Sequence, residues 1–212
     1  MKLSLLVVLI AIGATATAAA VLWFRERWRR EAYSAEAAQS LLHPARRLIQ
    51  SPARVVQAFG LRQGDTVVEL GPGPGYFTDE AAAAVGPSGR VICVDLQRDM
   101  LLALRGHVAS GARIDLVVGE AGRLPIRSGA LDGAFLVSML GEVPDPDAAV
   151  RELARALRPA GVASFCETFN DPDYVRLTVL RRLCRNAGLD QRDWRRQLLG
   201  YIARFERHST PV

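Results

Sequence analysis

The chain has 212 residues, of which half are hydrophobic and 23% are charged, and its net charge is +5. This composition is typical of a globular protein and excludes an intrinsically disordered chain. The charge is carried by arginine, since Lys2 is the only lysine, and the densest basic run, residues 25–30, directly follows an apolar segment. That position indicates a membrane flank and argues against a nucleic-acid partner.

Residues 3–24 form an uncharged segment of apolar and small side chains, about 22 residues where about 20 suffice to span a bilayer as a helix. A cleaved signal peptide is the alternative, with Lys2 in the charged start and residues 14–20 as the cleavage zone. The apolar run continues past that zone into the four arginines of residues 25–30. Because positive charge stays on the cytoplasmic side, we expect a single-pass anchor with the rest of the chain in the cytoplasm.

The cysteines Cys93, Cys166 and Cys184 lack CxxC spacing, and the three histidines are scattered. This pattern predicts neither a disulfide framework nor a metal site. We expect the three thiols to be small buried hydrophobic groups.

Three regions follow from the pattern along the chain: a membrane anchor with its basic flank at 1–30, a helical linker or lid at 31–60, and a domain at 61–212. In the domain, strand-like and helical segments alternate. Strands are predicted at 66–70, 91–95, 113–118, 133–138, 162–167, 193–197 and 201–207. Helices are predicted at 76–85, 97–108, 147–157 and 172–187. The alternation predicts an α/β fold with a doubly wound, mostly parallel seven-stranded sheet, a C-terminal antiparallel hairpin and one preceding transmembrane helix.

The most specific motif is VVELGPGPGY at residues 67–76, where a strand runs into a glycine-rich turn before a helix. Glycines allow a tight turn and let a ligand approach the backbone closely. A dinucleotide fingerprint has glycines at relative positions one, three and six, whereas position six here is Tyr76. Glu69, two residues before the first glycine, would repel a pyrophosphate but suits a ligand with an ammonium group.

This motif resembles the acid-x-Gly-x-Gly-x-Gly motif of the class I, Rossmann-like methyltransferases that use S-adenosylmethionine (SAM), and the likeness extends over most of residues 45–207. It is closest to the small-molecule branch that includes the ubiquinone and menaquinone biosynthesis methyltransferases. The resemblance implies that SAM is the cofactor and that its amino-acid end is held by Glu69, Gly71, Gly73 and Gly75.

The same resemblance implies roles for residues after the next two strands. Asp95 would bind the ribose hydroxyls, and Leu96 would pack near the adenine. Glu120 matches the acid of the family's Gly-Asp-Ala segment, with Glu in place of the commoner Asp, and would meet the adenine amino group while the backbone N–H of Ala121 meets the ring. The segment LRPAG at 157–161 also matches, with Ala160 where a second glycine is common.

A general base is needed only if the methyl acceptor must lose a proton. Glu142, Glu167, Asp171 and Tyr174 follow the fourth and fifth strands, where ligands of open α/β sheets bind. Each is also interpretable as an ordinary turn or cap residue, and Asp171-Pro172 is typical of a helix start.

Neither an Asn-Pro-Pro-Tyr sequence after the fourth strand nor a Pro-Cys pair is present, which argues against a nucleic-acid base as the acceptor. We therefore expect a SAM-dependent methyltransferase that acts at the membrane surface on a small or lipophilic acceptor, such as a quinone precursor or a lipid. The alternatives are a membrane-tethered SAM-binding module without catalysis and a nucleotide-cofactor oxidoreductase. The pattern specifies neither the acceptor atom nor the oligomeric state.

Overall fold

The computed structural model describes residue 42, residues 46–108 and residues 113–208. Its helices are α1 (Arg46–Ile49), α2 (Pro52–Phe59), α3 (Thr78–Val85), α4 (Arg98–Arg105), α5 (Pro146–Ala156) and α6 (Leu177–Asn186). Its strands are β1 (Thr66–Leu70), β2 (Arg90–Asp95), β3 (Ile114–Val118), β4 (Leu131–Val137), β5 (Leu157–Thr168), β6 (Leu189–Gln197) and β7 (Gly200–Arg207), and a short 3₁₀ helix, Leu140–Glu142, follows β4.

The predicted membrane anchor, residues 1–30, lies outside the described residues, as does most of the predicted lid before α1. Among the helices that the structure describes, none combines the length and the hydropathy that a bilayer crossing requires.

The strands form one seven-stranded sheet in the order β3-β2-β1-β4-β5-β7-β6. Strands β1 to β5 pair in parallel, and β7 lies antiparallel between β5 and β6. The predicted α/β sheet with a terminal hairpin is therefore confirmed. The strand order reverses between β1 and β4, and ligands of such sheets bind outside the carboxyl ends of the strands at that point.

The central strands are buried on both faces, as expected for parallel strands covered by helices. Val68 faces a core packed with α5 and α6, whereas its neighbour Val67 faces a second core packed with α2, α3 and α4. In the second core, Phe59 of α2 stacks on Phe135 of β4 with ring centroids 5.1 Å apart. The two cores hold the carboxyl ends of the strands in fixed positions.

The predicted helix at 172–187 is wrong at its start, because α6 begins only at Leu177. The Asp171 carboxyl accepts from the backbone N–H of Asp173 at 2.8 Å, and the Tyr174 N–H donates to the Asp171 carbonyl. The Glu167 carboxyl accepts from the Val175 N–H at 3.0 Å. These bonds hold the segment as turns beside the end of β5 rather than as helix.

Strand β5 also begins earlier than predicted, at Leu157, and contains Ala160 with a φ of +61°. This left-handed conformation is one that glycine adopts more easily, which explains the preference for glycine at the matching position of the family. Strand β6 begins at Leu189, ahead of the predicted start at residue 193, and its pairing with β7 shifts register between Gln191 and Asp193.

Candidate active site

The loops after β1, β2, β4 and β5 meet at one edge of the sheet, beside the reversal of strand order. The residues singled out in the sequence follow the carboxyl ends of β1 to β5, so the topology brings them together. What decides their chemistry is the backbone of the glycine loop and the burial of the carboxyl groups around it.

The three loop glycines all have positive φ, at +67° for Gly71, +54° for Gly73 and +93° for Gly75. A Cβ at Gly71 would overlap the Met139 side chain, and one at Gly75 would lie 3.0 Å from the Leu104 Cγ, so these two glycines serve close packing. A Cβ at Gly73 would have no neighbouring heavy atom within 4 Å. Gly73 therefore faces open space, where a ligand can approach the backbone.

Glu69 is buried at the end of β1. Its Oε2 accepts from the Thr78 hydroxyl at 2.7 Å and lies 3.8 Å from the Cys93 Sγ. Burial raises the pKa of Glu69 to about 7, and the bonds from Thr78 and Cys93 oppose the rise. A cation beside this carboxyl would favour its ionised form.

Asp95 ends β2, and its Oδ1 accepts from the Gln97 N–H at 2.9 Å. Burial raises the pKa of Asp95, while the N–H groups of Gln97, Gly73 and Leu96 lower it, so this carboxyl also contacts the glycine loop. Next to it, the Leu96 side chain is 71% exposed. A charged acceptor of hydrogen bonds and an exposed apolar side chain thus stand together at the rim.

After β3, the Gly119 N–H donates to the Asp95 carbonyl at 3.0 Å, which ties the ends of β2 and β3 together. Glu120 is exposed and pairs through its backbone with Arg123, whereas Ala121 is buried in the core beside α5. The predicted adenine contacts therefore lie at the same edge as Asp95.

Carboxyl groups also line the side of the site after β4 and β5. The Glu142 side chain is exposed at the rim, and partial desolvation together with repulsion from Asp171, Asp173 and Asp95 raises its pKa to about 7. Burial likewise raises the pKa of Glu167 to about 8, with further repulsion from Asp171 and Glu142. Several carboxyl groups therefore lie close together at this edge, and a positively charged ligand would favour their ionised forms.

A polar pair and an aromatic row complete this side. Ser138 has a φ of +47°, and its hydroxyl lies 3.0 Å from that of Thr168. Phe169, which is 55% exposed, meets Tyr174 edge to face with ring centroids 4.9 Å apart, and Tyr174 meets Tyr201 at 6.0 Å. A non-glycine residue in a left-handed conformation is strained, and such strain concentrates at functional sites.

Comparison with known proteins agrees with this geometry. A family model described as "Methyltransferase domain" matches residues 67–161. A demethylmenaquinone methyltransferase of Staphylococcus aureus is 33% identical over 115 residues, which are 54% of this chain and 48% of that protein. A 37.1 kDa uncharacterized protein of a Streptomyces fradiae transposon is 33% identical over 125 residues, which are 59% of this chain and 35% of that protein. The chain thus spans about half or less of the length of these relatives.

The fold points the same way. A solved SAM-dependent methyltransferase of Aquifex aeolicus aligns with a TM-score of 0.76 at 18% identity, covering 82% of this chain and 99% of that one. Residues 67–161 match a methyltransferase domain, and the described residues have the fold of a solved SAM-dependent methyltransferase. The family resemblance and the SAM cofactor expected from the motif are confirmed, and the match argues against the nucleotide-cofactor oxidoreductase.

The residues of this methyltransferase domain fit SAM. SAM carries a sulfonium and an ammonium cation. Asp95 is near enough to Glu69 and Glu142 to raise the pKa of both, and Gly73 donates a backbone hydrogen bond to Asp95, so the three carboxyls lie close to the glycine loop. Desolvation disfavours the ionised form of these carboxyls. A bound cation would favour that form. The space that a Cβ would fill at Gly73 is available to the ligand.

Sequence reasoning missed four residues of the site: Thr78, Ser138, Met139 and Thr168. Thr78 holds the Glu69 carboxyl, Met139 packs against Gly71, and Ser138 and Thr168 pair across β4 and β5. A hydroxyl at the start of the helix after the glycine loop was a usable signal for Thr78. The Ser138–Thr168 pair had none, because it depends on the register between two strands.

The raised pKa values predict how stability depends on pH. In SAM-free protein, the buried carboxyls of Glu69 and Glu167 hold their protons to about pH 7 and 8, whereas their ordinary pKa is 4.5. The folded state therefore binds more protons than the unfolded state between these values, so stability is greatest below the window and falls as pH rises through it.

We expect the free energy of unfolding in urea to fall by several kcal/mol between pH 5 and pH 8, since one pKa unit corresponds to about 1.4 kcal/mol. Glu167→Gln keeps an acceptor for the Val175 N–H but cannot ionise, so it should reduce this dependence. Glu80→Gln, at an exposed position of α3, is the matched control and should leave the slope unchanged. A stability that rises from pH 5 to pH 8 would refute the assignment.

Proposed function

We propose that this protein transfers the methyl group of SAM to a small, lipophilic acceptor at a membrane surface. The observation that carries methyl transfer is the loop after β1, where Gly73 faces open space and its backbone bonds the Asp95 carboxyl. The acceptor class is supported by the aromatic row after β5 and by the apolar N-terminal segment.

SAM, when bound, supplies a methyl group activated by a positively charged sulfur. The glycine loop and Glu69 hold its amino-acid end, Asp95 accepts from the ribose hydroxyls, and Glu120 with the Ala121 N–H meets the adenine. Leu96, with most of its side chain exposed, covers one face of the base. Positioning of donor and acceptor in line is the largest contribution that a protein makes to such a displacement.

The acceptor lies against Phe169 and Tyr174, which the buried ring of Tyr201 supports from the core. Phe169 presents an exposed ring beside the end of β5, and Tyr174 supports it edge to face. Planar aromatic acceptors pack favourably on such rings. The Staphylococcus aureus relative is by name a methyltransferase of demethylmenaquinone, which supports a quinone precursor as the acceptor.

Glu142 is the general base of the proposal. Its side chain is exposed at the edge of the site, and partial desolvation with repulsion from neighbouring carboxyls raises its pKa to about 7. The Glu142 carboxylate would take up the proton that the acceptor atom loses when it receives the methyl group. Glu167 is not the base in this proposal. It is buried and accepts from the Val175 N–H, so it stabilises the turn that contains Tyr174.

The N-terminal segment completes the proposal as a single-pass anchor, with the methyltransferase domain on the cytoplasmic side. The apolar run of residues 3–24 and the arginine-rich flank at 25–30 support it. An anchor keeps the domain at the surface from which a lipophilic acceptor is taken.

The test uses purified full-length protein, SAM with an isotope-labelled methyl group, and two acceptors: a demethylated naphthoquinol with an isoprenoid tail in vesicles, and a tailless soluble analogue. We expect label in both products, and we expect deletion of residues 1–30 to slow methylation of the vesicle-borne acceptor more than that of the analogue. If the deletion slows methylation of the two acceptors equally, the proposal that the protein acts at a membrane surface is contradicted. SAM binding with no methylated quinone or lipid product would favour the non-catalytic SAM-binding module.

A further inference from the structure

The C-terminal part of the domain carries a charge excess that neither the cofactor nor the acceptor site uses. From Arg176 to His208 the sequence has nine arginines and three acidic residues, in a chain whose net charge is +5. Each of the three acids already has a partner: Arg192 pairs with Glu206, Arg204 with Asp193, and His208 with Asp190. The arginines of α6 and the end of β6 therefore have no acidic partner in the described part of the chain.

The arginines of α6 and Arg196 share one surface, here called the basic face. The Arg181 guanidinium lies 5.8 Å from the centre of the Trp194 ring, which places α6 directly beside β6. Arg185 follows Arg181 by four residues and Arg182 by three, so it is a neighbour of both on the helix surface. Arg182 and Arg185 are exposed, and the three side chains lie on one side of α6. The basic face comprises Arg181, Arg182, Arg185, Trp194 and Arg196.

An apolar tip adjoins the basic face at the edge of the sheet that holds the site. Leu198, two residues after Arg196 in the turn between β6 and β7, is 82% exposed, and Phe169 is 55% exposed. The Phe169 N–H donates to the Leu199 carbonyl at 2.8 Å, which fixes the two exposed side chains on neighbouring segments. The apolar tip is defined as Phe169 and Leu198.

We propose that the basic face and the apolar tip together dock the methyltransferase domain onto an anionic lipid surface. Arginines are drawn to anionic headgroups, tryptophan favours the interface, and exposed leucine and phenylalanine side chains gain by entering the acyl region. Trp194, 47% exposed beside Arg181, stands at the level where headgroups would lie.

Protection of the sheet edge and binding of nucleic acid each account for only part of this surface. Charges on an edge strand such as β6 prevent pairing with another sheet, but Arg182 and Arg185 lie on a helix, where that protection has no use. A nucleic-acid backbone would neutralise the arginines but would leave Leu198 and Phe169 in water. An anionic bilayer satisfies both the charge and the apolar tip.

Docking in this orientation turns the carboxyl edge of the sheet toward the bilayer, so that an acceptor passes from lipid to Phe169 without crossing water. This consequence rests on the proposed function, whereas the docking itself requires no turnover. The two are therefore separable by experiment.

The test is quenching of Trp194 fluorescence in the full-length protein carrying Trp23→Phe and Trp28→Phe, which leaves Trp194 as its only tryptophan. The protein is reconstituted into vesicles of acyl-brominated phosphatidylcholine, with or without phosphatidylglycerol. We expect phosphatidylglycerol to cause quenching and a blue shift of Trp194, and high salt to weaken both.

Charge reversal separates docking from the anchor. The variant Arg182→Glu/Arg185→Glu/Arg196→Glu should lose the quenching that depends on phosphatidylglycerol. A matched variant with the same change of charge at exposed arginines elsewhere, Arg105→Glu/Arg113→Glu/Arg127→Glu, should keep it.

Equal quenching with and without phosphatidylglycerol, or quenching retained after reversal of the basic face, would overturn the proposal. So would loss of single-stranded RNA binding in the reversed variant with Trp194 quenching unchanged, which would reassign the surface to nucleic acid. Quenching as expected in a protein that methylates no acceptor would keep the docking and remove the proposed function.

Discussion

Gly73→Ala is expected to weaken SAM binding by about tenfold or more, equivalent to about 1.4 kcal/mol. The new methyl group would stand in the space that Gly73 leaves open, where the amino-acid end of SAM approaches the loop. Alanine at a φ of +54° also costs about 1–2 kcal/mol of backbone strain. Isothermal calorimetry measures the affinity, and urea unfolding measures the strain.

Gly129→Ala is the matched control, because it separates strain from loss of the ligand space. Gly129 has a φ of +69°, a Cβ there would likewise have no neighbour within 4 Å, and the residue precedes β4 at the opposite edge of the sheet. We expect similar destabilisation and unchanged SAM affinity. Equal loss of SAM affinity in the two variants would show that the effect at Gly73 is strain alone.

Glu142→Gln is expected to lower kcat by about 10²–10⁴-fold, the usual contribution of a general base. In the SAM-free protein the pKa of Glu142 is raised to about 7, so wild-type kcat/KM should rise with pH through the neutral range, and the SAM cation should move the matching rise of kcat to lower pH. The variant should lack this ascending limb, because glutamine does not titrate. Single-turnover methylation of the soluble acceptor at several pH values measures both effects.

The control for removal of a carboxyl charge is Glu80→Gln on α3, whose side chain is exposed. SAM affinity should fall only modestly in Glu142→Gln, since Glu69 and Asp95 still face the cofactor, and not at all in Glu80→Gln. A kcat that falls less than about tenfold, or a pH profile shared with the wild type, would remove Glu142 from the role of base.

The sequence was sufficient for those parts of the site that depend on local chain order. The glycine loop is recognisable because its turn, its acid and its following helix are contiguous, and Asp95 is marked by its place at the end of a short strand. Alternation of strands and helices specified the parallel sheet, since crossover connections leave few other arrangements.

The features that the sequence did not predict depend on contacts between segments. The shared repulsion of Glu142, Asp171 and Asp173 arises only once β4 and β5 lie side by side, and Asp171 forms a turn because Glu167 binds the Val175 N–H. The predicted start of α6 at residue 172 was wrong for that reason, because hydrogen bonds to the end of β5 hold the segment after Asp171-Pro172 as turns. The basic face likewise requires α6 to pack beside β6 before its arginines form one surface.

Calorimetric titration of the full-length protein with SAM, and separately with its demethylated product S-adenosylhomocysteine, tests the central claim most directly. We expect saturable heat at one site per chain for both, lost or weakened in Gly73→Ala and retained in Gly129→Ala. Folded protein that takes up neither nucleoside would contradict the assignment of the glycine loop to this cofactor.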